Sequence, residues 1–166
     1  MSIEKEILDY KKTLEADPND VVTRGNLAAL YLRNDRTDEA IEECQRAVEI
    51  NPGYAATYNN LGLAYEKKGM IEEAVLKFRE AVVANPNYVV AYRNLGLLYM
   101  KQGMLAEAIA EWNHALAINP IYAAAHSYLA IAHYRLAIEH HKRAVELGFK
   151  MDGPVFESPD GTTGGS

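Results

Sequence analysis

Apolar residues recur along most of this chain with the period of an α-helix, and short polar breaks separate the periodic segments. Residues three and four positions apart form one apolar stripe, a glycine interrupts it, and a second stripe follows before a proline. In the clearest stretch the stripes are Tyr58, Leu61, Gly62 and Tyr65, and then Ala74, Phe78 and Ala81. The pattern predicts pairs of short amphipathic helices joined by tight turns.

The two-helix pattern repeats every 34 residues. Asn51-Pro52, Asn85-Pro86 and Asn119-Pro120 mark this period, and Asp17-Pro18 extends it by one step. A fixed period of this length is typical of a stacked repeat protein. The predicted units are residues 1–20 (an N-terminal capping helix, half a repeat), 21–54, 55–88, 89–122, a shortened fourth repeat at 123–149 and a disordered tail at 150–166.

Residue size follows the same period. Small residues such as Gly62 and Gly96 stand where two helices are expected to cross closely, and Phe78 and Trp112 stand where the gap beside them must be filled. Gly69 suits a turn that needs positive φ. The core is therefore predicted to be a continuous strip between layers of helices.

These positions closely resemble the tetratricopeptide repeat (TPR) family over roughly residues 6–149. The third unit has the same signature, namely Tyr92, Leu95, Gly96, Tyr99, Gly103, Ala108, Trp112, Ala115 and Pro120. The resemblance implies an all-α fold, a right-handed superhelix of antiparallel helix pairs (A, then B). It also implies that the A helices line a concave groove that binds peptides or partner proteins.

The fourth repeat lacks five residues between its two stripes, including the turn glycine. Only Tyr134, Arg135 and Leu136 separate the A positions from Ala137, which opens the B stripe. Because no glycine or proline lies between Ala123 and Leu147, we predict one continuous helix in place of the last A/B pair. A sharp kink within a monomeric repeat is the alternative.

A fused helix leaves the apolar faces of both halves without a partner in their own repeat. An identical chain is the simplest cover, with B halves exchanged between protomers as in domain swapping. The sequence therefore predicts a homodimer or higher oligomer through residues 123–149. The predicted interface residues are Leu129, Ile131, Leu136, Ile138 and Val145.

Composition narrows the class of partner. The net charge is −6, which argues against nucleic acid. No apolar stretch is long enough to span a membrane, and residues 1–7 lack the apolar core of a signal peptide, so we expect a cytoplasmic location.

No catalytic constellation is visible, and we expect no enzyme activity, cofactor or metal. The single Cys44 takes a core position and is expected to be a buried filler. His126, His133 and His140 are spaced by seven, too far apart on one helix for a shared ion. His126 and His133 occupy aromatic core positions, so packing is the expected role.

The groove is the predicted binding site, with asparagines one repeat apart that could bond a peptide backbone. The alternative is that these amides bond neighbouring helices. The predicted peptide-binding residues are Asn26, Asn59, Asn60, Leu63, Lys67, Arg93, Asn94, Leu97, Lys101, Ile131 and Arg135. Gly25, Ala29 and Val90 replace residues of the carboxylate clamp found in chaperone-binding TPRs, so that type of ligand is not expected. The predicted function is a non-catalytic interaction module; the alternative is a self-assembling scaffold.

Overall fold

The structure is a computed structural model that describes residues 2–149, and this part of the chain holds eight α-helices and no strand. The predicted tail at 150–166 lies outside the described residues. The helices are α1 (Ile3–Ala16), α2 (Val21–Arg33), α3 (Thr37–Ile50), α4 (Ala55–Lys67), α5 (Ile71–Ala84), α6 (Val89–Lys101), α7 (Leu105–Ile118) and α8 (Ala123–Glu146).

Each Asn-Pro step ends one helix and prepares the next. The side-chain oxygen of Asn51 accepts a hydrogen bond from the Gly53 amide at 2.9 Å, and Asn85 repeats this contact with Asn87 at 3.0 Å. An asparagine can close such a turn on the backbone two residues later, and the proline between them cannot extend the helix. Asp17 closes the first step in the same way. The periodic dipeptide is therefore a local turn device.

The turn within each regular pair needs one residue with positive φ. Gly69 (φ 74°) and Gly103 (φ 77°) supply it after α4 and α6. Asp35 supplies it after α2 with φ 58°, a conformation that a side chain makes costly. The fourth repeat lacks the residues that would form this turn, including the glycine.

Close helix crossings set the residue sizes in the core. A Cβ added at Gly62 would lie 2.5 Å from the Phe78 ring, and one at Gly96 would lie 2.3 Å from the Trp112 indole. The first pair reaches the same fit with different residues. Ala28 takes the position of the glycine and Cys44 the position of the larger aromatic residue, and both are buried. The small-to-large pairing predicted from the sequence therefore holds the helices together.

Helix α1 covers the first end of the stack. Its Ile7 and Leu14 are buried in one core cluster with Leu27 and Tyr31 of α2 and Cys44 of α3. Ser2 caps its first turn by accepting from the Lys5 amide.

The last predicted pair is a single helix. α8 runs without a break for 24 residues, as the missing turn predicts. The chain divides after Ala132 into two units. In the first unit Ala125, Leu129 and Ala132 are buried in one core cluster with Trp112. In the second, the B-stripe residues Ala137 and His141 are exposed.

Candidate functional site

An open depression lies on the A helices of the first unit. Its volume is about 560 Å³. The lining residues come from α2, α4 and α6, and they are Ala29, Leu32, Arg33, Asn60, Leu63, Glu66, Lys67 and Lys101. The floor is apolar and the rim carries charge, because Ala29, Leu32 and Leu63 lie beside charged residues of the same three helices. A shape of this kind can receive a side chain of an extended peptide or one face of a helix.

Two of the three rim cations already have acidic partners. The Lys67 ammonium donates to the Leu32 carbonyl at 2.5 Å and to Asp35 at 2.7 Å, and Lys101 pairs with Glu66. The hydrogen bond from Lys67 lowers the pKa of Asp35. Arg33 is exposed and makes no ion pair with any residue between 2 and 149. The cation available to a ligand carboxylate is therefore Arg33.

The asparagines mainly bond neighbouring helices. Asn60 donates its amide to the Gly25 carbonyl at 3.0 Å and stays half-buried in the depression. Asn94 is only 5% exposed; it donates to Asn59 at 2.7 Å and accepts from Arg93 at 3.0 Å. Asn26 is exposed. The side-chain oxygen of Asn60 lies where a peptide N–H can reach it, whereas Asn94 is committed to joining α4 and α6.

The remaining predicted peptide-binding residues lie in different surroundings. Leu97 is half-buried and packs against the second core cluster. Ile131 is 44% exposed, and Arg135 is exposed in the second unit. The structure thus gathers Asn60, Leu63, Lys67 and Lys101 of the predicted set around one depression.

Four lining residues are absent from the predicted peptide-binding residues, namely Ala29, Leu32, Arg33 and Glu66. Leu32 and Glu66 occupy the same repeat position, one residue before the rim cations Arg33 and Lys67. Their adjacency to the predicted Lys67 and to Arg33, its equivalent one repeat earlier, was a usable signal. The pairing of Glu66 with Lys101 of the next repeat was not, since it depends on how two A helices stack.

No alternative chemistry stands out in the described residues. Burial raises the pKa of the Cys44 thiol to about 12, with a smaller effect from Glu43, so the group is an unreactive filler. Between residues 2 and 149 no group of three potential metal ligands comes together. The expected core packing of His126 and His133 is wrong: both side chains are exposed, and His126 contacts the Pro120 carbonyl at 2.8 Å. They are exposed because the predicted A and B helices are one continuous helix, α8, so the B half does not pack on the A half.

The repeat signature is matched by known families. A tetratricopeptide repeat profile matches residues 20–82, and a second TPR repeat profile matches residues 67–103 and 98–137. The chain belongs to the tetratricopeptide repeat family. TPR proteins are generally non-catalytic, and this TPR chain is a protein-interaction module. None of its described helices is both long and apolar enough to cross a membrane.

Solved structures agree with the fold. A crystal structure of MamA is 29% identical, covers 87% of this TPR chain and of its own, and has a TM-score of 0.68. The first TPR domain of Spaghetti (RPAP3), bound to the HSP90 peptide SRMEEVD, is 22% identical with a TM-score of 0.66, covering 70% of this chain and 95% of that one. The first TPR domain of human RPAP3 has a TM-score of 0.68 at 22% identity, with 75% and 98% coverage. No curated protein sequence matches the chain.

Proposed function

We propose that the depression on α2, α4 and α6 binds a segment of a partner protein that carries an apolar side chain beside an acidic residue. The observation that carries this proposal is the combination of an apolar floor with one rim cation, Arg33, that has no ion pair within residues 2–149. The floor, which includes Leu63, can take the apolar side chain. Arg33 can hold a carboxylate, and the free oxygen of Asn60 can accept from the peptide backbone.

Selection from a random peptide library displayed on phage tests this proposal. The purified chain should enrich peptides with a Leu-, Ile- or Phe-type residue within about three positions of Asp or Glu. Leu63→Ala should weaken such peptides about tenfold, because the lost contact area removes roughly 1–2 kcal/mol. Arg33→Ala should reduce affinity for the acidic residue and the dependence on salt.

The matched control for the charge change is Arg46→Ala, since Arg46 is an exposed arginine of α3 outside the depression. It should leave peptide affinity unchanged. Enrichment of basic peptides, or equal binding by the Leu63→Ala variant, contradicts the proposal.

A second candidate is self-assembly through α8, and the unbroken helix favours it. The segment Ala137–Glu146 mirrors the B helix from Ala40 to Glu49, including Ala-Ile-Glu at its start and Arg-Ala-Val-Glu at its end. Its equivalents Ala40, Ala74 and Ala108 are fully buried, whereas Ala137 is exposed. We propose that the C-terminal half of α8 in one copy pairs with the N-terminal half in a second copy, as a domain-swapped dimer.

The exposed members of the predicted interface fit this exchange. Ile131 is 44%, Ile138 36% and Val145 53% exposed, and Leu136 is half-exposed. Leu129 packs inside its own chain instead. Light scattering at several concentrations should report a dimer. Inserting five residues with a glycine turn after Leu136 should restore a monomer, because each B half can then reach its own A half. A dimer that survives the insertion contradicts the exchange.

A further inference from the structure

Each regular helix pair carries polar side chains at the same three positions. In the first pair Arg24 of α2 bonds Glu43 of α3 at 2.7 Å, and Arg46 bonds the same carboxylate at 3.0 Å. In the second pair these positions hold Tyr58, Lys77 and Glu80, and Lys77 contacts Glu80 at 2.8 Å.

The third pair keeps one acid at this place. Its residues are Tyr92, Glu111 and His114, and the Tyr92 and His114 rings lie 5.6 Å apart. Burial raises the pKa of Glu111, while His114 and then Arg79 oppose that effect. All three regular pairs therefore place one carboxylate among these positions.

The fourth repeat has no carboxylate at these positions. His126 follows Tyr92 by one full repeat of 34 residues. Because five residues are missing from the fourth repeat, the equivalents of Glu111 and His114 lie 29 residues further on, at His140 and Arg143. The next residue, His141, corresponds to Cys44, Phe78 and Trp112, all of which are fully buried. In the described chain, His126, His140 and His141 are exposed.

The three histidines have no reason to meet within one chain. Two residues 14 positions apart on a continuous helix are separated by about 21 Å. In the exchanged dimer, however, the B half of one copy would lie on the A half of the other in the register of the regular pairs. His126 of one copy would then stand opposite His140 and Arg143 of the other, and His141 would be buried against Ala130.

We infer that protonation of His126, His140 and His141 controls this dimer. The inference rests on the self-assembly proposed above. Neutral imidazoles can be buried there and can bond one another. Imidazolium groups would face each other and Arg143 in a desolvated place, and both effects oppose association. Dimerisation therefore releases protons and weakens as the pH falls into the range where an imidazole takes up a proton.

The carboxylates of α8 near this cluster lie in exposed registers. Glu139, next to His140, matches the exposed Glu42 and Ala110 of the regular pairs. Also on α8, Glu146 pairs with Arg143 at 3.0 Å. The position of Glu146 corresponds to that of the exposed Ala117, so Glu146 would lie on the solvent side of the dimer. From α7, the residue in the register of Arg79 is Asn113, which is uncharged. His133 takes the register of Tyr99, whose hydroxyl accepts from Arg79, so it would face Asn113 and not the cluster.

Sedimentation velocity of the full chain at pH 7.5 and pH 5.5 tests the inference. The dimer dissociation constant should rise at least tenfold at pH 5.5, with unchanged helical circular dichroism. The variant H126R/H140E copies Arg24 and Glu43, and it should reduce the pH effect to less than threefold. The control His114→Gln, which removes an exposed histidine of α7, should leave the tenfold change intact.

The outcomes separate the two proposals. A monomer at both pH values overturns the exchange and the inference together. A dimer of equal affinity at both pH values overturns only the inference. An undiminished pH effect in H126R/H140E, or loss of helix at pH 5.5, also overturns it, because dissociation would then have another cause.

Discussion

The regular pairs α2–α7 and the last helix α8 carry nearly the same residue types at the same positions, yet their surroundings differ. Ala40, Ala74 and Ala108 open the B stripes of the regular pairs and are fully buried, while Ala137 opens the same stripe in α8 and is exposed. The difference comes from turn length. A short turn with a positive-φ residue lets the apolar faces of two helices pack against each other. Without that turn, both apolar faces lie on one continuous helix. A hydrophobic pattern therefore specifies a face, and the connection specifies what covers it.

The largest expected effect comes from placing a charge at the two equivalent positions. Ala74→Glu should reduce the free energy of unfolding by about 3–5 kcal/mol or prevent folding, because the carboxylate would be buried without a partner. Ala137→Glu should change it by less than about 0.5 kcal/mol, as expected for an exposed position. Urea denaturation at low micromolar concentration measures both. Similar losses in the two variants would show that the α8 stripe is buried under these conditions, either within one chain or against a second copy.

A smaller effect should follow from exchanging sizes within a regular pair. Gly62→Ala should cost about 1–3 kcal/mol, because overpacking against Phe78 outweighs the helix propensity of alanine. Adding Phe78→Cys copies the Ala28 and Cys44 pair of the first repeat. The double variant should be at least about 1 kcal/mol more stable than the sum of the single changes predicts.

Gly25→Ala is the control for this size exchange. A Cβ at Gly25 would meet its nearest atom, on Tyr54, at 3.7 Å, an ordinary contact. This change should stabilise the chain slightly through helix propensity. If Gly25→Ala destabilised the chain as much as Gly62→Ala, the cost of adding a Cβ would not come from the close contact with Phe78.

The smallest expected effect concerns the acid at the polar position of the third pair. Burial raises the pKa of Glu111, so its contribution to stability is fully present below the unfolded pKa and is lost as pH rises through the folded pKa. Glu111→Gln should therefore gain stability relative to wild type between pH 4 and pH 7. Thermal denaturation at both pH values measures this gain. Exposed Glu107→Gln on the same helix serves as control, and an equal gain there would contradict the local cause.

The sequence predicted much of the fold because its signals are local. The Asn-Pro turns, the glycines after α4 and α6 and the aromatic positions act within one or two helices, and the missing five residues predicted the unbroken α8. The candidate site was predicted less well. Asn94 looked like a groove residue by register but is buried between α4 and α6, and Glu66 was missed because its partner Lys101 comes from the next repeat. Contacts between stacked helices depend on separations that periodicity does not contain.

By itself the sequence determined the family, the eight helices and the place where the repeat fails, since each depends on neighbouring residues along one helix or turn. Only the tertiary structure decided which polar groups remain available. It showed that Lys67 and Lys101 are already paired while Arg33 is open, and that the histidines of α8 are exposed. The physical reason is that hydrogen bonds, ion pairs and burial are settled between helices, where a shift of a few ångströms changes which atoms meet.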